Sequence, residues 1–337
     1  MGDMPASEPL VHVLRGGILE SAHEGALVVV EDEVVTFHRG DPQRAVFYRS
    51  ASKPLQALEV VLSGAADAYG LTAAEIAIAA GSHNGEPRHL ATVRSILSKS
   101  GVAEEALRCG GHRSVIPEIA FVQRRDGVPV TPILSNCSGK HAGMLASARR
   151  RGLPLDGYMD LAHPVQRAIL AHVAAFAGVA EEDVLAGVDG CGAPALVVPL
   201  EAMARSIARL ASASAVAKPL ADAAARVCRA MMDHPEMVAG EERFDTDLMR
   251  AAPGRLLAKA GAEGVHVVAV PERRLGMAVK VDDGSDRGYR TVVIEFLRHR
   301  GVLTGEAADT LRTKHAAPTI RSIAGREAGA LRPAFAF

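Results

Sequence analysis

The sequence predicts an α+β protein in which strands from both ends of the chain build one antiparallel sheet beside a large helical lobe. Three features carry this reading: short strand-like apolar runs before residue 48, apolar runs at helical spacing from Leu55 to about Met232, and strand-like runs again between about residues 264 and 300. Strands at both ends with helices between them suggest a single sheet, about 8–48 and 264–300, carrying a helix-rich insertion over about 50–235. The 337 residues are read as one domain, with a cleft expected between sheet and helices.

The elements follow in order. V-H-V-L-R, G-A-L-V-V-V and V-V-T-F-H read as strands, with E-D-E as the turn between the last two. Helices are expected at L-Q-A-L-E-V-V-L, A-A-E-I-A-I-A-A, H-L-A-T-V-R-S-I-L, H-P-V-Q-R-A-I-L-A-H-V-A-A-F and A-D-A-A-A-R-V-C-R-A-M-M. Late strands are expected at V-H-V-V-A-V-P, G-M-A-V-K-V and T-V-V-I-E-F-L, around the turn-rich D-D-G-S-D-R-G. The Ala-rich tail after Leu303 has the weakest pattern, and there is no internal repeat.

Composition narrows the function. A formal charge of -1 and 48% hydrophobic residues give no pull toward nucleic acid or a membrane surface, so the expected partner is a small molecule. The start, M-G-D-M-P-A-S-E-P, lacks a basic then apolar leader, and no apolar stretch is long enough to cross a bilayer; the expected location is cytoplasmic. Cys109, Cys137, Cys191 and Cys228 are too few and scattered for a disulfide framework.

Lysine is scarce, seven against thirty-one arginines, yet Lys53, Lys140 and Lys259 all lie in Gly- or Ser-bearing motifs. Unlike arginine, lysine can lose its proton when desolvated or placed near another cation, so chemistry needing a neutral amine demands it. In R-S-A-S-K-P, Ser50 and Lys53 stand three apart where a helix begins, a spacing that lets the amine reach the hydroxyl and act as its base. The same residues also suit a helix start, with a capping serine, a solvated lysine and Pro54 in the first turn.

Two later segments favour chemistry. G-S-H-N-G places Ser82-x-Asn84 downstream, and A-K-A-G-A-E-G places Lys259-x-Gly261 further on. The order S-x-x-K, S-x-N, K-x-G resembles that of the penicillin-recognising serine hydrolases, whose distal lysine lies on a strand lining the opposite wall of the site.

Taken together, R-S-A-S-K-P, G-S-H-N-G-E-P, N-C-S-G-K-H-A-G-M, the H-P-V-Q run, G-V-D-G-C-G-A-P, A-K-A-G-A-E-G and the tail G-R-E-A-G resemble the asparaginase II family of Rhizobium-type L-asparaginases, from about Arg15 to Pro333. The resemblance implies a serine β-lactamase and penicillin-binding-protein-like fold, a homodimer, and hydrolysis of L-asparagine to L-aspartate and ammonia. It implies Ser50 as nucleophile with Lys53 as base, Ser82 with Lys259 as a second serine–lysine pair, and Cys137, Lys140 and Cys191 as ligands of one zinc ion. Thiolate donors favour zinc over magnesium or calcium, and three ligands leave a position open.

An amino-acid substrate needs anchors at both charged ends. Arg49, beside the nucleophile, is the candidate for the carboxylate and Asp189, beside Cys191, for the ammonium; His141 can hydrogen-bond either end. Each can equally be an ion-pair or turn residue. No role is assigned to His83, His112, His163 or His234, and Cys109 and Cys228 are read as packing residues. The competing readings are a glutaminase or other serine amidase, and a zinc-bearing amino-acid sensor without turnover.

Overall fold

The computed structural model describes residues 6–316 and 318–337. The residues 1–5, read above for a leader, lie outside that set. Eleven strands occur among the described residues: β1 Glu8–Arg15, β2 Ile18–Glu31, β3 Val34–Arg39, β4 Ala45–Phe47, β5 Leu185–Val188, β6 Pro194–Pro199, β7 Leu257–Ala260, β8 Val265–Val270, β9 Leu275–Val281, β10 Ile320–Arg321 and β11 Glu327–Pro333.

The main sheet runs β10-β11-β1-β2-β9-β8-β7, with β3 also paired to the long β2, and every pairing is antiparallel. Both ends of the chain therefore build it, as the alternating runs predict. The β2–β3 hairpin closes on Asp32 and Glu33, both at positive φ, which is the two-residue geometry that matches strand twist. Residues Ala26 to Val30 of β2 are wholly buried, so this central strand reads as a continuous apolar run.

Three parts depart from the sequence reading. T-V-V-I-E-F-L is not a strand; it belongs to the helix Asp286–His299, whose residues Thr291 to Ile294, Phe296 and Leu297 are buried. Helical packing against the sheet overrides the local β-propensity of a β-branched run, and Asp286 and Arg298 complement the helix dipole at its two ends. The stretch 45–47 leaves the main sheet and joins β6 and β5 in a separate sheet of order β4-β6-β5, inside the region read as helical. The weakly patterned tail supplies β10 and β11, the latter paired with β1 from Val11 to Arg15. Among the described residues, no helix is long and apolar enough to cross a membrane.

The predicted helices form at Ala73–Ala79, Pro87–Ser100, Pro164–Ala177 and Lys218–Asp233, whereas the run after Ser50 divides into Lys53–Gln56 and Leu58–Leu62. The helix Ala73–Ala79 starts in a capping box between Thr72 and Glu75. It packs against the helices Lys218–Asp233 and Ser138–Arg150, a cluster that carries one wall of the site.

Candidate active site

Ser50 lies in a 3₁₀ turn, Arg49–Ser52, directly after β4. The turn is pinned from behind: Tyr48 is buried, its hydroxyl donates to Ser206 Oγ at 2.8 Å, and its backbone N–H donates to Leu196 at 2.9 Å. Arg49 adopts φ 50°, a left-handed state that costs a non-glycine residue about 1–3 kcal/mol and recurs at functional turns. Pro54 then occupies the first turn of Lys53–Gln56, where its missing N–H is not needed.

Lys53 is 1% exposed, and its amine donates to the Gly81 carbonyl and to Ser82 Oγ, both at 2.8 Å. No side-chain hydrogen bond joins it to Ser50 among the described residues, so the contact expected from i,i+3 spacing is not made. The serine–lysine pair that forms is Lys53 with Ser82, where the resemblance implied Ser82 with Lys259. The reason is local: Ser50 lies in a 3₁₀ turn rather than in the helix that follows, and Lys53 comes after it with its amine on Gly81 and Ser82.

The Ser82 loop is rigid by construction. Ser82 N–H donates to Val238, and a Cβ on Gly81 would lie 2.6 Å from the Met237 carbonyl, so only glycine allows this approach. Ser138 Oγ donates to Ile133 and therefore accepts from His83 Nε2 at 2.9 Å, while His83 Nδ1 accepts from the Gly85 N–H. Burial holds the His83 pKa well below the ordinary imidazole value, as this neutral bonding requires. Asn84 turns its amide to Glu86 and accepts from Arg243 Nη1 at 2.8 Å.

Lys259 comes from β7, the end strand of the sheet, and is 1% exposed. Its amine donates to Ala260 at 2.7 Å and stands 3.7 Å from Asp245 Oδ2. Burial lowers its pKa to about 7; Asp245 opposes the shift, and the charges of Lys53 and Arg243 add to it. Asp245 is itself fully buried, taking bonds from the Ala260 N–H at 2.8 Å and His266 Nε2 at 2.9 Å. Burial would raise its pKa, but the His266 hydrogen bond and the Lys259 charge hold it well below the carboxylate range. Gly261 lets this strand end meet the turn that carries Ser50, because a Cβ there would lie 2.7 Å from the Tyr48 carbonyl.

Cys137 precedes the helix Ser138–Arg150, whose first turn carries Lys140 and His141; Cys191 lies in the turn before β6. Lys140 Nζ donates to Cys191 Sγ at 3.1 Å. A hydrogen bond from Cys191, with the charges of Lys53 and Lys140, pulls the Cys137 thiol pKa well below normal, while the same bond and burial push that of Cys191 up. Burial would lower the Lys140 pKa, but the two sulfurs raise it. The three residues thus share one buried polar cluster, in which the Cys137 thiol is the more acidic of the two. Among the described residues, no group of three His, Cys, Asp or Glu suited to a metal occurs.

The candidate anchors behave differently from one another. Arg49 Nε donates to Asp189 Oδ1 at 2.9 Å, so the two residues expected to grip opposite ends of a substrate pair with each other. Burial would raise the Asp189 pKa, but the Gly190 N–H and the Lys140 and Arg49 charges lower it. His141 is fully buried with Nδ1 on the Tyr158 hydroxyl at 2.7 Å and Nε2 without a partner; burial keeps it neutral, its pKa well below the ordinary value.

Asp245, Arg243, His266 and Tyr158 were not singled out by the sequence. Asp245 had one available signal, a carboxylate inside the apolar spacing of F-D-T-D-L-M, on the buried side of the helix Phe244–Ala251.

These features define a mixed helix and antiparallel-sheet protein whose sheet and helical lobe bring serine, lysine and cysteine together in one buried cluster. Residues 11–333 match the model of the L-asparaginase II family, and the chain belongs to that family, which points to an amidohydrolase. No curated protein matches the sequence. Solved structures with a similar chain course include a β-lactamase from Mycobacterium bovis (14% identity, 87% of this chain and 95% of that one, TM-score 0.44). Others are a β-lactamase/D-alanine carboxypeptidase from Pseudomonas syringae (11%, 81% and 93%, 0.44) and a class C β-lactamase from Rhodobacter sphaeroides (14%, 82% and 94%, 0.43).

Proposed function

We propose that the protein hydrolyses L-asparagine to L-aspartate and ammonia through an acyl-enzyme on Ser50. The observation that carries this reading is the Lys53 amine, buried three residues from Ser50 and bonded at 2.8 Å to a second hydroxyl, Ser82. Lys53 takes the Ser50 proton as Ser50 Oγ attacks the side-chain amide carbon, and backbone N–H groups stabilise the oxyanion. The C–N bond breaks as the proton passes from Lys53 through Ser82 to the leaving nitrogen, releasing ammonia. Water then cleaves the β-aspartyl ester, with the same groups returning the proton to Ser50. Lys259 lies across the cluster with a pKa near 7, so its neutral form is available to assist these transfers.

Cys137, Lys140 and Cys191 fit a zinc ion: the Lys140 amine donates to Cys191 Sγ at 3.1 Å, Cys191 bonds Cys137, and the Cys137 thiol pKa is lowered, which favours the ligating thiolate form. Bound there, the ion would supply an open coordination position that shapes or orients the substrate. Lysine ligates only as the neutral amine, so zinc affinity should weaken as pH falls. Elemental analysis after purification without a metal-affinity column tests this; a zinc ratio near zero, with zinc supplied, contradicts it.

Asp189, held by Arg49, is proposed to receive the substrate ammonium, with His141 Nε2 as a neutral hydrogen-bond partner. One methylene separates asparagine from glutamine and is worth only about 1–3 kcal/mol in a pocket, so the two amides must be compared directly. Ammonia release from each, by wild type and Ser50→Ala, tests the proposal. Serine-dependent release from asparagine supports it, and release from neither amide overturns it. The homodimer implied by the resemblance is tested by mass in solution.

A further inference from the structure

Arg243 stands out among the charged residues around the cluster because no acid claims it. Its Nη1 donates to the neutral Asn84 amide at 2.8 Å, and Asn84 is two residues from Ser82. Two residues after it, Asp245 contacts Lys259 and the backbone of β7. Arg243 therefore lies between the Ser82 loop and the Lys259 strand, close enough for its charge to depress the lysine. Of the neighbouring acids, Glu86 pairs with Arg88 at 3.1 Å, Glu241 pairs with Arg88 and with Arg250 at 2.6 Å, and Glu242 is exposed and makes no ion pair with Arg243 among the described residues. Among the described residues, Arg243 has no carboxylate partner and is only partly buried.

Arg49, the residue next to the nucleophile, differs on this point because Asp189 already neutralises it. A partly buried guanidinium fixed by an amide, with its charge uncompensated, is a receptor for an anion, and its planar fork matches a carboxylate. Resting on the amidohydrolase reading above, we propose that Arg243 binds the α-carboxylate of the substrate and so restricts this site to amides that carry an anionic group.

The test compares L-asparagine with 3-aminopropanamide, the same amide without its carboxylate, in wild type, Arg243→Met and Arg243→Lys. Hydrogen bonds to charged groups lead to an expected loss of about ten- to a hundredfold in kcat/KM for asparagine in Arg243→Met, mainly through KM. Assayed well above pH 7, where Lys259 is neutral with or without the Arg243 charge, turnover of 3-aminopropanamide should be low and change far less than that of asparagine, and Arg243→Lys, which keeps the charge without the fork, should fall between. Equal losses on both amides, or no loss on either, would overturn the proposal. Calorimetric binding of L-aspartate separates this inference from the reading it rests on. If wild type releases no ammonia yet binds aspartate, weaker binding by Arg243→Met still supports the carboxylate site, and unchanged binding overturns it. Absence of aspartate binding by wild type also overturns it.

Discussion

Lys53 and Lys259 lie in one buried cluster in which each has a different companion, and the proposed mechanism gives them different work accordingly. Lys53 meets a hydroxyl, so it can pass a proton; Lys259 meets a carboxylate, so its charge state is tied to Asp245. Lys53→Arg keeps a cation but not a side chain able to lose its proton, and kcat should fall by about 10²–10⁴-fold in steady-state assays. The Lys259 amine becomes neutral as pH rises through about 7, so kcat/KM should rise across that window and level off above it. The Asp245 charge raises the lysine pKa, hence Asp245→Asn should move the rising limb to lower pH. A limb that stays in place would separate Lys259 from the profile. Motif spacing made Ser50, Lys53, Ser82 and Lys259 legible, but not which amine meets which hydroxyl, because that depends on the 3₁₀ turn and on contacts across long separations. The Arg49–Asp189 pair was hidden for the same reason, since its members stand 140 positions apart in the chain.

Elements hold these side chains through close backbone approaches that only glycine permits. Gly261→Ala would drive a methyl toward the Tyr48 carbonyl, 2.7 Å away, where neither backbone can yield easily. Thermal unfolding should show a loss of about 1–3 kcal/mol, and kcat should fall as well because the strand end bearing Lys259 is pushed from the Ser50 turn. Unchanged kcat in a destabilised variant would show that the approach serves the fold alone. The helices were largely legible from their apolar spacing, as in Pro164–Ala177 and Lys218–Asp233. The helix Asp286–His299 was not, because its sheet-facing apolar residues are gathered in a β-branched run, Thr291–Ile294, that imitates a strand.

Across the whole molecule, the sheet depends on the two ends of the chain meeting. β11 covers one side of β1, yet only Leu331 in it is buried, so backbone pairing rather than side-chain pattern places it, and the sequence gives little warning of it. Truncation after residue 318 should expose the β1 edge and promote aggregation on gentle heating, read by light scattering. A truncated chain that stays dispersed and fully stable would make the closure dispensable. The strands at the front of the chain carry Ser50 and those near its end carry Lys259 to one buried cluster, and the proposed mechanism makes a single nucleophilic site of these distant segments. It is tested most directly by rapidly quenching the protein during turnover of L-asparagine and locating the acyl group by peptide mass spectrometry. The account predicts a β-aspartyl ester on Ser50, absent in Ser50→Ala; the same modification on another residue, or turnover retained by Ser50→Ala, would contradict it.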